Sequence, residues 1–341
     1  MTLRIGIIGA GGNTRLMHLP GFQKIDGVEV TAVCNRTRES GQKVASEFGI
    51  PTVCNEWREL VARDDVDAIC VGTWPYMHCQ TTLAALQAGK HILTEARRAM
   101  NLAEARQMLA ASQDSDRVAM IVPAPMFLET EATLVAMIAA GFFGDWLEIN
   151  TCFLVGGYDE EAPMGWRQRR DLSGNNIMVM GILNETIRRY AGDDRSVIAH
   201  GKIFIDERTD GETGERRAVD VPESLGVVAE LECGATVVYH CSSVTRPARG
   251  PDVVAYGTRA AFQLKDGQAF VAAPGDDTFK PLEVAPEKQG GWRVEEDFVD
   301  AIRDGVAVTH TNFADGVKYM EFTEAVNISL AEGRRVELPL P

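Results

Sequence analysis

Residues 4–21 read RIGIIGAGGNTRLMHLPG, and the reading of this stretch decides the fold. Arg4–Ile8 is a short, β-branched apolar run of the kind that makes a parallel strand buried on both faces. It ends in Gly9-Ala10-Gly11-Gly12-Asn13-Thr14, with glycine at the first two positions of a dinucleotide fingerprint and Thr14 where a third glycine or alanine usually stands. Gly9 permits the tight turn, and Gly11 lets the backbone approach a pyrophosphate with no Cβ in the way. The helix that follows aims its first N–H groups and partial positive charge at the phosphates. An ordinary strand-to-helix turn would look similar. Position argues for the nucleotide, because the motif sits in the first strand and a second strand follows at the right distance.

That second strand is Val28–Cys34, followed by Asn35-Arg36-Thr37-Arg38 and a helix through Phe48. An acid at the end of this strand would bond the ribose 2′-hydroxyl of NAD. Asn35 stands there instead, with Arg36 and Arg38 beside it. An amide does not repel a 2′-phosphate and a guanidinium binds one through two donors, so the pattern favours NADP(H), with NAD second; solvated loop charges are the other reading. Asp67–Gly72 is a third strand, ending at Thr73-Trp74-Pro75-Tyr76-Met77-His78. A helix over Cys79–Ala88 leads to a strand ending at Glu95, and the alternation continues to Val118–Val122. The pattern is a doubly wound parallel sheet with its ligand crevice at the carboxyl ends of the strands. Thr73 and Glu95 fall at such ends.

The texture changes after Pro123. A helix over Glu129–Ala140 precedes alternating strands at Trp146–Leu154, Gly226–Glu232, Ala235–Ser243, Val253–Tyr256 and Ala260–Leu264, the mark of an antiparallel sheet with one face buried. Asp206–Arg217 and Ala273–Gly291 read as exposed connections. Helices over Val294–Arg303 and Asp315–Glu332 close the chain. The expected fold is α/β, an N-terminal Rossmann domain over 1–123 followed by an α+β domain over 124–341. The second domain carries a large, open, mainly antiparallel sheet, and its C-terminal helix is free to pack back on the first. A free apolar sheet face points to association with further copies.

The 341 residues are enough for two such cores, and 45% hydrophobic with 24% charged residues is a globular composition. A net charge of −15 argues against nucleic acid and anionic membranes as partners. No apolar run approaches the about 20 residues that span a bilayer. MTLRIGIIGA enters the first strand at once, which leaves no room for a signal peptide, and the seven cysteines form no C-x-x-C pair. Both point to a cytoplasmic protein with reduced thiols. The six histidines show no ligand spacing, so no metal is expected.

GIIGAGG with His18, the span from Thr73 to His78, LAALQAGKHILTE ending at Glu95, LVAMIAAGFFGDWLEI, Trp166-Arg167, DFVDAIRDG and EAVNISLAEGRRVELP run over almost the whole chain. On these pieces the sequence resembles the glucose–fructose oxidoreductase / inositol dehydrogenase (Gfo/Idh/MocA) family. The resemblance implies a Rossmann domain, an α+β substrate domain, a nicotinamide cofactor, a sugar or cyclitol substrate, and homodimers or homotetramers built through the open sheet. Together with the strand-end reading of Asn35, Arg36 and Arg38, it gives the cofactor-binding role to Gly9, Gly11, Gly12, Asn13, Thr14, Thr73, Trp74, His78 and Glu95 as well.

The departures lie at the chemistry. The family follows its glutamate with Lys-Pro, the lysine assisting proton transfer; here Glu95 is followed by Ala96-Arg97-Arg98. The family also carries Asp and His four residues apart on one helix face, where alignment on Gly181 puts Val179 and Leu183. Glu185 is the nearest acid, but it lies around the helix from Leu183 unless the helix is shifted by one residue. Tyr76 could act as an acid or as a stacking wall. Arg97 cannot take a proton yet can hold an anion or stabilise an oxyanion. Catalysis is therefore expected of Arg97, Tyr76 and Glu185, and substrate contact of Arg98, Trp166, Arg167, Asn176 and Asn184. The expected activity is hydride transfer on a carbohydrate or polyol derivative, an anionic sugar being one that suits the arginines. A lyase or glycoside-cleaving enzyme using transient oxidation, or a dinucleotide-binding regulator without turnover, are the alternatives.

Overall fold

Strands β1 (Leu3–Ile8), β2 (Val28–Cys34), β3 (Thr52–Val53), β4 (Ala68–Val71), β5 (His91–Thr94) and β6 (Ala119–Ile121) form one sheet in the order β3-β2-β1-β4-β5-β6. Every pairing in it is parallel. The structure, a computed structural model, describes residues 2–126, 128–211, 213–308 and 310–341. Ile5, Ile7, Ile69 and Leu93 are fully buried, as continuous apolar strands covered on both faces require. Helices Arg38–Phe48, Trp57–Val61, Pro75–Gln87 and Leu102–Gln113 make the crossovers. The strand order reverses between β1 and β4, so the switch point of the sheet lies directly after the glycine-rich stretch.

The chain divides into two compact units. The first holds Met1–Pro123 together with Arg293–Val317, and the second holds Ala124–Trp292 and Lys318–Pro341. Helix Val294–Asp304 thus belongs with the parallel sheet, through the buried Phe298, whose ring meets that of Phe22 edge-on at 6.5 Å.

The second unit is built on a nine-stranded sheet. Its strands are β7 (Trp146–Gly156), β8 (Asp194–Lys202), β11 (Ser224–Leu231), β12 (Thr236–Ser242), β13 (Val244–Gly257), β14 (Ala261–Lys265), β15 (Gln268–Ala272), β16 (Lys280–Pro281) and β17 (Val336–Glu337). They run in the order β16-β15-β14-β13-β7-β12-β11-β8-β17, antiparallel except for β7 with β12. Val227, Ala229, Val237, Tyr239 and Cys241 point to one face and pack with Leu183, Ile187, Phe322 and Val326 from two helices. The alternate residues Ile198, Val228 and Val238 stand in register across three strands on the other face and are exposed.

Two expectations need correction here. Asp206–Arg217 is not a plain loop, since β9 (Glu207–Thr209) pairs with β10 (Arg216–Ala218); Glu212 lies outside the described residues. β8 was not expected at all. Beyond Ile198 its outer half is partly exposed on both sides, so the apolar alternation that marks a strand fades there.

Candidate functional site

The glycine-rich turn is held from three sides, all within the first unit. Gly9 has φ +84°, and a Cβ there would lie 2.5 Å from Thr73 Cγ2 and 2.8 Å from its N. Gly72, at the end of β4, has no room for a Cβ either, because Thr14 Oγ1 and the Gly9 carbonyl fill that space. Gly11 is different. Its φ is not positive, and a Cβ would meet only the Gly72 carbonyl at 3.5 Å, an ordinary contact. The fold requires glycine at 9 and 72 but not at 11, where the bare backbone leaves room for something outside the protein.

A cavity of about 260 Å³ opens beside this turn, lined by Gly9, Gly11, Asn35, Arg36, Thr73 and Trp74, with Thr37, Ser40, Gly72 and Tyr76. Asn35 Oδ1 accepts the Ala10 N–H at 2.7 Å, so its side chain ties the end of β2 to the loop. The Arg36 guanidinium stands 5.2 Å over the Trp74 ring. Thr37 caps helix Arg38–Phe48 by accepting the Ser40 N–H at 3.2 Å, which leaves both hydroxyls at the helix start. Thr73 Oγ1 is buried and has no hydrogen-bond partner among the described residues. A bare backbone, an orphaned hydroxyl and a helix start flanked by arginine suit a dinucleotide.

Other residues expected at the cofactor stand elsewhere. Arg38 is exposed and donates to Asn55 Oδ1 at 2.5 Å, outside the cavity. Thr14 is buried, with its hydroxyl 3.3 Å from the Gly9 carbonyl, an internal clamp on the loop. The chain after it is a wide π-type turn over Thr14–His18 before helix Leu19–Lys24. His78 is fully buried, Nε2 at 2.9 Å from the Thr73 carbonyl and Nδ1 at 3.2 Å from that of Arg98. Burial pushes its pKa down, so it is a neutral ring whose one N–H donates to one of these two carbonyls. Gly12 and Asn13 are exposed; Asn13 Nδ2 donates to Glu95 Oε1 at 2.5 Å, which ties the loop to the end of β5.

At the turn after Glu95, Arg97 takes a left-handed backbone, φ +64°, uncommon for a side chain of this size. Arg98 is corrected: it is fully buried, lies 4.0 Å over the Phe313 ring and donates to the carbonyls of Phe313 and Ala105. A guanidinium spent in this way anchors the interior and is not open to a substrate.

In the second unit, three more of the residues expected at the site are buried and bonded within the protein. Glu185 Oε1 accepts the Ala124 N–H and an Arg189 N–H, both at 2.9 Å, and Arg189 also pairs with Glu131 at 3.3 Å. These bonds make it an anchor of the interior. Asn184 is fully buried and donates to Asp194 at 2.7 Å and to the Tyr239 hydroxyl at 3.2 Å. Asn176 is buried, its amide closing a turn on the Ser173 carbonyl at 2.7 Å. Leu183 is in the apolar core and Val179 packs against it. Trp166 and Arg167 remain at the surface of a short 3₁₀ turn, the guanidinium 4.3 Å over the indole. Among the described residues no group of three or more His, Cys, Asp or Glu could hold a metal, and no helix is long and apolar enough to cross a membrane.

Residues 3–122 match the model of an oxidoreductase family with an NAD-binding Rossmann fold, and 132–263 match the GFO/IDH/MocA C-terminal domain. The chain belongs to the Gfo/Idh/MocA family. Over 119 residues it is 35% identical to 4-carboxy-2-hydroxymuconate-6-semialdehyde dehydrogenase of a Sphingobium species, covering 35% of this chain and 38% of that protein. Over 196 residues it is 32% identical to 1,5-anhydro-D-fructose reductase of Ensifer adhaerens, covering 56% and 57%. The chain thus spans less than two thirds of these relatives. The apo structure of a levoglucosan dehydrogenase superposes over 99% of both chains with a TM-score of 0.89 at 22% identity, which establishes the shared fold. As a Gfo/Idh/MocA member this chain has the family's NAD-binding Rossmann domain followed by its C-terminal domain.

Sequence reasoning missed Gly72, Thr37, Ser40 and Glu295. The Thr-x-x-Ser spacing at a helix start signals the cap. Glu295, a buried partner of His18 from a helix almost 280 residues away in sequence, has no local signal.

Proposed function

We propose that this protein is an NADP(H)-preferring oxidoreductase acting on a carbohydrate or polyol derivative that carries a carboxylate or other anionic group. The observation that carries the cofactor preference is the cavity wall of Asn35, Arg36, Thr37 and Ser40, with no acid in it. Arg36 and the two hydroxyls would hold a 2′-phosphate, Gly11 and Thr73 the pyrophosphate region, and Trp74 and Tyr76 would flank the rings. A bound nicotinamide would supply the hydride acceptor or donor. The family and the reductase relative support a sugar-like substrate.

The anionic preference rests on two guanidiniums. In the first unit Arg97 follows Glu95 on a left-handed backbone, and, separately, in the second unit Arg167 is stacked on Trp166. Neither can move a proton, and both can orient a carboxylate. Purified protein assayed with each nucleotide on a neutral sugar and its uronate tests this. Arg97→Ala and Arg97→Lys should both depress turnover of the uronate, and rapid oxidation of the neutral sugar, indifferent to Arg97, would refute the reading. The packing of Leu183 and Val179 favours a second reading, a regulator that binds the nucleotide without turnover; tight binding with no activity on either sugar would support it. We also infer that copies of the chain associate through the exposed row Ile198, Val228 and Val238. Val228→Lys should then lower the mass seen by light scattering.

A further inference from the structure

Three charged side chains of the first unit form a buried chain that the nucleotide motif does not announce. His18 has no exposed surface; its Nδ1 bonds Glu295 Oε1 and its Nε2 lies 3.1 Å from Glu95 Oε1. Glu295 is itself buried and clamped, since a Cβ on Gly21 would come within 2.7 Å of its carboxylate. Burial alone would depress the imidazole, yet the bonds from Glu295 and Glu95 raise its pKa to about 9, so both ring nitrogens carry protons at neutral pH. Burial likewise opposes ionisation of Glu95, but His18 and Asn13 hold its pKa below the usual value. The Cys70 thiol nearby is pushed well up by burial and adds no charge. Two carboxylates and one imidazolium leave the chain with a net charge of −1. Its partly exposed end is Glu95, at the carboxyl end of β5.

The strand order says which half of a dinucleotide meets that charge. The cavity with Arg36 lies at the β2 side of the switch point, and Glu95 lies on the other side, past β4. An adenosine half in the first position puts the nicotinamide half over β4 and β5. There the ligand's own charge depends on its redox form, because the oxidised ring is a cation and the reduced ring is neutral.

We propose that the Glu95–His18–Glu295 chain selects the redox form of the bound nucleotide, tightening the oxidised form relative to the reduced. Glu295 and His18 act as positioning residues, through Glu95. The proposal rests on the nucleotide reading above. At an effective dielectric constant of about 20 and roughly 10 Å, one unit charge changes a binding constant by about tenfold.

The test is equilibrium titration of the full chain at pH 6, below the raised pKa of His18, with the His18 charge in each variant followed by its imidazole NMR signals. The ligands are NADP⁺, NADPH and adenosine 2′,5′-bisphosphate, which lacks the nicotinamide. In Glu295→Gln the ratio of affinities should move about tenfold towards NADPH, with the bisphosphate unchanged. Glu95→Gln removes the same charge at the edge of the site and gives the same comparison if the buried change fails to fold. An unmoved ratio, or equal weakening of all three ligands, would overturn the proposal, the latter by showing that the chain only braces the loop. If the wild type binds none of the three, the nucleotide reading itself fails and takes this inference with it.

Discussion

At the carboxyl edge of the parallel sheet, Thr73 keeps a buried hydroxyl without a partner among the described residues and Gly11 faces open space. Along helix Met180–Ala191 the position is reversed, for Asn184 and Glu185 are buried and bonded to neighbours. At these strand ends Asn35, His78 and Glu95 hold the turns, and that leaves Thr73 and the bare backbone of Gly11 available for other work. Polar groups on an amphipathic helix that packs on a sheet are available only on the outer face. On the inner face they must find partners or forfeit several kcal/mol of desolvation. The same residue types therefore mean different things in the two units.

The sharpest way to break this contrast is at the glycines. Gly11→Val should cost more than a thousandfold in nucleotide affinity, over about 4 kcal/mol, with the thermal midpoint almost unmoved. Gly9→Val, strained by its φ and its contact with Thr73, should instead fail to fold stably. Retained nucleotide binding in a folded Gly11→Val protein would show that the open space there has another purpose.

The second unit answers to pH. Asp194, bonded to Asn184, is so desolvated that its pKa rises to about 7. The folded state then holds a proton that the unfolded chain gives up near 4. This contribution to stability is complete below about pH 4 and is lost as the pH rises through 7. The displacement corresponds to roughly 4 kcal/mol at the alkaline end. Asp194→Asn mimics the protonated form, so at pH 8 it should be more stable than the wild type by roughly 3 kcal/mol, and the gap should shrink as the pH falls. Denaturant curves at pH 5 and pH 8 measure it; a constant gap would remove Asp194 as the cause.

Glu185→Gln probes the same interior more gently. The amide can still accept the Ala124 N–H, and Arg189 keeps Glu131, so the loss should be about 2 kcal/mol, that of one charge-assisted bond. Turnover on any accepted substrate should be unchanged. A folded variant without activity would give Glu185 the catalytic role expected of it from the sequence.

How far the sequence could be read follows from the same division. β1, β2, β4 and β5, the glycine turn and the Asn35–Arg36 junction are local patterns, and each was legible from a few adjacent residues. Helix Met180–Ala191 was visible only through the family resemblance, and which face of it turned inward was not visible at all, because Asn184 and Glu185 look polar whether or not Asp194 and Arg189 are waiting for them. Arg98 was misread for a related reason. Its partners Phe313 and Ala105 include a carbonyl more than 200 residues away, and nothing at positions 95–98 reports it. Glu295 escaped notice on the same ground.

The smallest effect tests the most local reading, nucleotide preference. Asn35 accepts the Ala10 N–H through Oδ1 at 2.7 Å, and an aspartate would keep that acceptor. Asn35→Asp should therefore leave the loop and the fold as they are while adding one negative charge to the wall that holds Arg36, Thr37 and Ser40. A 2′-phosphate would be repelled and would compete with the new carboxylate for Arg36, whereas two ribose hydroxyls would gain an acceptor. The expected result is a loss of about tenfold in NADP⁺ affinity, about 1.4 kcal/mol, with NAD⁺ affinity level or improved. Part of the effect should fade at high salt, since the cavity is open and its charges are screened. Arg36→Ala should weaken NADP⁺ in the same direction but not improve NAD⁺, because it removes a cation without supplying an acceptor. If wild type and Asn35→Asp bind both nucleotides alike, the arginine over Trp74 is a surface stack, and the preference for the 2′-phosphate falls while the Gly11 prediction stands.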